Sequence, residues 1–265
     1  MVAEESIGER YHQLNSEKPG QVCLLDEQSP AYFYALGRLY KEAGMTWKSD
    51  QKILFGGFYP DQDNNRASRA LVELMSEKNS PEGQIDSSLS CILDISSLSV
   101  VKAKEGGKDA IQANLADLPF APNSLDVVFL DYTVHFMSDE TRDKMFGRLY
   151  DALSPQGLVF IATNGNLLSD FGRLGRYFDS LRSKWANKVD FWNNRPIEPH
   201  LGKYKKVFSA LCDRTGEGNF DLTVVARQES PFKEYRDKFP IAIERDSEKF
   251  GDLFKEWGKR YRKIY

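Results

Sequence analysis

The chain has 265 residues, 41% of them hydrophobic and 28% charged, with a formal net charge of -3 and a pI near 5.8. This composition fits a soluble globular protein able to bury a sizeable core in one large domain or two small ones. It excludes a general electrostatic attraction to nucleic acid or anionic membrane.

No apolar run approaches the roughly 20 residues that a membrane helix needs. The opening stretch, MVAEESIGERYHQ, is too polar and acidic to read as a secretory leader. Cys23, Cys91 and Cys212 are widely spaced and form no CxxC pair. A sparse, odd count suits reduced thiols in a cytoplasmic protein. His12, His135 and His200 form no HxxxH pattern, so no metal centre is expected. The oligomeric state is left open.

Residues 1–50 are expected to form a helical leader. Ser29-Pro30 suits a helix start, and Phe33, Leu36, Leu39 and Tyr40 recur at helical spacing before Gly44, a natural stop. From Lys52 the texture changes to strand–helix alternation. Lys52–Phe58 reads as a short buried strand. Asp61–Asn65 offers caps to a helix carrying Ala67, Ala70, Leu71, Leu74 and Met75 on one face. Leu89–Ile95 is a second strand, with a helix following to Lys104, and Ala110–Ala113 is a brief third. Asp126–Asp131 (DVVFLD) is the strongest strand, because unbroken apolar runs belong in sheets covered on both faces. Asp139–Leu153 reads as a helix and Leu158–Thr163 as a fifth strand.

Residues 165–202 form an insertion rich in Arg and aromatics. A helix is expected near Tyr204–Cys212 and a strand at Leu222–Ala226. Phe250, Leu253, Phe254, Trp257 and Tyr261 mark a C-terminal docking helix with a basic, solvated end. The alternation predicts an α/β doubly wound, mostly parallel seven-stranded sheet. Three regions follow: the leader 1–50, a central domain 51–228 containing the insertion, and a helical extension 229–265.

Four pieces in order and spacing carry a family resemblance. CILDISSLSVVKAK (Cys91–Lys104) places an acid at a strand's carboxyl end. QANLADLPF (Gln112–Phe120) precedes DVVFLDYTVHFMSD (Asp126–Asp139), and RLYDALSPQGLVFIAT (Arg148–Thr163) completes a helix, turn and strand. Together they resemble the class I S-adenosylmethionine (SAM)-dependent methyltransferases of the type 11-like kind. The match covers residues 50–165 well and 203–227 loosely.

The resemblance implies a SAM cofactor and specific roles. Asp94, followed by Ile95, is expected to accept hydrogen bonds from the ribose hydroxyls. Asn114 is expected to meet the adenine amino group through its carbonyl oxygen, and the Leu115 N–H a ring nitrogen. Gly56 and Gly57 are expected to shape the cofactor loop. Asp61 is a candidate for the methionine ammonium, and Asp131 lies at the end of the fourth strand.

The loop departs from the family's pattern. Where a Gly-x-Gly-x-Gly run is usual, this chain reads ILFGGFYPDQDNN, with Phe58, Tyr59 and Pro60 after the glycines. Either the loop is remodelled, with Asp61 or Asp63 on the methionine end, or the pocket is filled and SAM binding is lost. A nicotinamide cofactor fits poorly. Asp61 and Asp63 at a helix start would repel a diphosphate, and GxGxxG is missing.

Methyl transfer chiefly requires alignment and exclusion of water, helped by a base when the acceptor is protonated. His135, just past the fourth strand, and His200, in the insertion, are the candidate bases. The expected activity is methyl transfer to O or N of a small-molecule acceptor. The rival expectation is a non-catalytic, methyltransferase-like binding protein; a third is SAM chemistry other than methylation. No GxSxG elbow appears, which counts against a hydrolase. No Asn-Pro-Pro-Tyr-like motif follows the fourth strand, which counts against methylation of DNA bases.

Overall fold

The computed structural model of the chain describes residues 35–36, 39–40, 42–45, 50–57, 90–105, 109–131, 133–163, 197–214, 218–236 and 241–243. The helix expected after Asp61, most of the 165–202 insertion and the C-terminal helix lie outside the described residues.

Nine strands form one sheet in the order β3-β2-β1-β4-β5-β7-β6-β8, with β9 also paired to β6. They are β1 (Ile53–Gly56), β2 (Ser90–Asp94), β3 (Ala110–Gln112), β4 (Leu125–Asp131), β5 (Leu153–Thr163), β6 (Tyr204–Arg214), β7 (Gly218–Arg227), β8 (Tyr235–Arg236) and β9 (Ile241–Ile243). Strands β3 to β5 run parallel, and β7 is antiparallel to both β5 and β6. Strands β1 to β7 give the expected doubly wound, mostly parallel sheet. β8 and β9 extend it into the stretch expected to be helical.

The sheet is covered on both faces, and β4 shows why its sequence is apolar without alternation. Val127 and Phe129 point to one side with Ile53, Phe160 and Phe208. Val128 and Leu130 point to the other with Leu54, Leu93 and Ile161. On the first side the leader's Ala35, Leu36, Leu39 and Tyr40 are buried. Its helical turn ends at Gly44, whose φ of +63° permits the Met45 N–H to bond the Tyr40 carbonyl at 2.9 Å. The helix α1 (Ser97–Glu105) packs Val100 and Ala103 on Ile92 and Ala110. On the second side the helix α2 (Asp139–Ala152) supplies Met145, Phe146 and Leu149. Ser138 caps α2 by accepting the Thr141 N–H, and Asp139 and Glu140 favour the positive end of the helix dipole.

The helix expected near Tyr204–Cys212 is instead β6. Register shifts between Lys206 and Phe208, so Val207 is a bulged residue opposite β7. Val207 and Phe208 consequently both enter the same buried cluster. Two adjacent inward residues break the period of two and imitate the wider apolar spacing of a helix.

Candidate functional site

In open α/β sheets ligands bind outside the strands' carboxyl ends, where the strand order reverses. Here β2 and β3 lie to one side of β1 and β4 and β5 to the other, so the order reverses, and the crevice lies, between β1 and β4.

The β1 exit is built from two glycines. Gly56 closes the strand, and a Cβ there would lie 2.7 Å from the Leu130 side chain and 3.1 Å from that of Leu115. Gly57 turns the chain with φ +96°, a region that side chains rarely tolerate. Its N–H donates to the Leu93 carbonyl of β2 at 2.8 Å. The Gly56 carbonyl accepts the Thr133 hydroxyl at 2.5 Å.

Asp94 ends β2 half-buried, and its Oδ1 accepts the Ser96 N–H at 2.7 Å. Ile95 follows, its carbonyl accepting Gln112 Nε2 at 3.3 Å. The Ala113 N–H donates to the Asp94 carbonyl at 3.1 Å, which draws the β3 exit beside the acid. Asn114 then caps a single helical turn, Leu115–Asp117, its Oδ1 accepting the Ala116 N–H at 2.9 Å. The oxygen expected to face adenine therefore first serves its own turn. Leu115 is buried and opens that turn, and the first N–H of a helical turn has no acceptor within it. Asp117 pairs with Lys144 of α2 at 2.7 Å, and that hydrogen bond holds its carboxyl below the usual range. Cys91 of β2 has its thiol pushed up by burial and then by Asp109.

The two histidines flank the start of α2. His135 lies in the turn Thr133–Phe136 after β4 and is only 2% exposed. That turn is secured by Arg142, a fully buried residue of α2 whose Nε donates to the Val134 carbonyl at 2.8 Å. Its guanidinium stands 3.7 Å from Asp139, giving the buried charge a partner. His200 lies in the turn Glu198–Leu201. Its Nδ1 is 2.7 Å from Asp143 and its Nε2 is 3.8 Å from Asp139, so α2 engages both ring nitrogens. Asp131 ends β4, in register with Ala162 of β5. Asp61 lies outside the described residues.

The structure thus groups Gly56, Gly57, Asp94, Ile95, Asn114, Leu115 and the β4 exit at one rim, and sets His200 against α2. Sequence reasoning passed over Thr133, Arg142 and Asp143. A polar residue directly after a strong strand was the available signal for Thr133. Among the described residues no cluster of His, Cys, Asp and Glu could hold a metal, and no helix is long and apolar enough to cross a membrane.

A methyltransferase-domain family model matches residues 85–161. Three solved structures share the fold at low identity. The N-methyltransferase NodS from Bradyrhizobium japonicum, in complex with S-adenosylhomocysteine, is 9% identical with a TM-score of 0.54, covering 83% of this chain and 98% of that one. A SAM-dependent methyltransferase from Thermotoga maritima, a possible histamine N-methyltransferase, is 14% identical with a TM-score of 0.51, covering 85% and 100%. The 1,6-didemethyltoxoflavin-N1-methyltransferase from Burkholderia thailandensis, with its acceptor and S-adenosylhomocysteine bound, is 11% identical with a TM-score of 0.51, covering 85% and 89%. No curated protein matches the sequence at a significant level. The resemblance read from the sequence holds: the methyltransferase-domain match runs from just before β2 into β5, and the fold is that of solved class I SAM-dependent methyltransferases.

Proposed function

We propose that this protein is a SAM-dependent methyltransferase acting on O or N of a small-molecule acceptor. The observation that carries the reading is the grouping along the sheet's carboxyl rim, at the β2 and β3 exits beside β1, of one carboxylate, one amide and one helix-opening N–H. That donor set fits a nucleoside. Asp94 would hold the ribose hydroxyls, as a carboxylate at a strand's carboxyl end can accept from both. Asn114 and the Leu115 N–H would hold the base edge. Gly56, Gly57 and Ile95 would line the passage, with Asp61 or Asp131 on the methionine ammonium. When bound, SAM supplies an electrophilic methyl group on a sulfonium.

The neighbours that bind S-adenosylhomocysteine and methylate nitrogen favour this class of reaction. His135, two residues past Thr133 at the β4 exit, is assigned as general base for the acceptor. His200, with both ring nitrogens turned to carboxylates of α2, is better suited to fastening its own turn.

A second reading has one observation in its favour. Thr133 occupies the bare side of Gly57, as it would in a binding protein whose loop no longer admits a cofactor.

Thermal melting with S-adenosylhomocysteine decides between the two, because a ligand of the native state raises the melting temperature by mass action. At a hundredfold excess over Kd the stabilisation is about 2.7 kcal/mol. The wild type should shift and Asp94→Ala should not, while their melting points without ligand stay close. A wild type that does not move at millimolar ligand establishes the second reading. Product analysis with His135→Gln then tests the base: binding should persist and turnover should fall.

A further inference from the structure

We infer that Thr133 is a positioning residue that latches the glycine turn across the β1/β4 crevice and so sets cofactor affinity. The inference rests on the cofactor reading above, but its geometry stands on independent contacts.

The two banks of the crevice are far apart in sequence. Thr133 follows β4, and its hydroxyl donates to the Gly56 carbonyl 77 positions earlier, at 2.5 Å. The same oxygen lies 2.7 Å from where a Cβ on residue 57 would be. Gly57 is therefore glycine for two reasons: its φ of +96° and the space that Thr133 fills. On the opposite side the Gly57 N–H is held by Leu93 of β2. The turn is thus clamped between β2 and the β4 exit. From the β4 exit it is reached by a side-chain hydroxyl.

The chemistry makes this a functional position. A backbone turn that binds a cofactor must hold its amides at a fixed height, because hydrogen bonds weaken steeply with distance and angle. Strands β1 and β4 set the lateral spacing, but the strand ladder ends at Gly56↔Leu130. Beyond that pair, Thr133 is what carries the register of β4 into the turn. The base assigned to the same short helical turn, His135, is then tied to the cofactor loop through this hydrogen bond.

Three full-length proteins test the latch: wild type, Thr133→Val, which keeps the shape and removes the donor, and Thr133→Ser, which keeps the donor. Amide hydrogen exchange without ligand reads the latch directly. In Thr133→Val the Gly57 amide should exchange about tenfold faster, while amides of β4 and β5 keep wild-type protection, and Thr133→Ser should match wild type. Calorimetric titration with S-adenosylhomocysteine reads the consequence: about five- to tenfold weaker binding in Thr133→Val and restored binding in Thr133→Ser. Unchanged exchange at Gly57 in Thr133→Val overturns the latch whether or not the ligand binds. Faster exchange with unchanged affinity overturns its role in cofactor binding. A wild type that binds no ligand overturns the methyltransferase reading and, with it, the claim on affinity, while the exchange result still decides the latch. Should Thr133→Val fail to fold, Thr133→Ala is read in the same two assays by the same criteria.

Discussion

The two strands that bank the crevice, β1 and β4, reach the same buried position by different means. β4 spans seven residues, and side chains on both its faces enter large apolar clusters. Phe129 alone stacks on Phe55 at 5.3 Å and tilts against Phe160 at 5.0 Å. β1 has four residues, the last of them glycine, and its two ends are held by groups from β4 and from the turn that follows it. At the start, Asp126 accepts the Lys52 N–H at 2.9 Å and the Ser154 hydroxyl at 2.7 Å. The Asp126 and Val127 N–H groups return bonds to the Lys52 carbonyl. At the finish, Thr133 holds Gly56. One bank is stable through its own packing and the other is templated on it. The β1 side of the crevice therefore inherits its geometry from the β4 side.

Three substitutions press on that contrast. The largest loss is expected for Phe129→Ala, which empties a packed site in the middle of β4. It should cost about 3–5 kcal/mol in urea denaturation and collapse both banks together. Asp126→Ala should cost about 1–3 kcal/mol by leaving the Lys52 N–H and Ser154 unpaired. If β1 is templated, exchange at 53–56 should rise more than at 127–130; equal rises would mean the strands stand or fall as one. Gly57→Ala is expected to be the mildest globally, about 1–2 kcal/mol for a side chain at positive φ. Its effect should concentrate in ligand affinity, because the new methyl group meets Thr133.

The same contrast governs what the sequence disclosed. β4 and α2 were legible because each satisfies a local rule in full: an unbroken apolar run, and Ser138 capping a helix with acids in its first turn. Asp94 was legible from strand-end placement and family resemblance. Gly44 announced its own helix stop. What failed locally was β6, where the bulge at Val207 turned two neighbours inward and gave a strand the apolar spacing of a helix. What could not be seen was pairing at a distance. Thr133 is an ordinary polar residue until Gly56 meets it, and nothing in the sequence shows that Asp139 and Asp143 face the two ring nitrogens of His200. Asn114 was placed correctly at the rim, but its first duty is to its own turn, which residue identity alone does not reveal.

The reversed direction of β7 has a consequence beyond stability. Thr163 and Asp221 lie side by side where β5 ends, yet the β6–β7 ladder continues through Cys212↔Phe220, Asp213↔Asn219 and Arg214↔Gly218. β9 lines up beside that overhang, from Cys212 to Arg214. The hairpin is thus a parapet standing above the deck of the parallel strands. Its last rungs pair only with one another and with β9, beyond the last rung of β5, so lengthening or trimming it would reshape this end of the sheet's rim without unpairing β4 or β5.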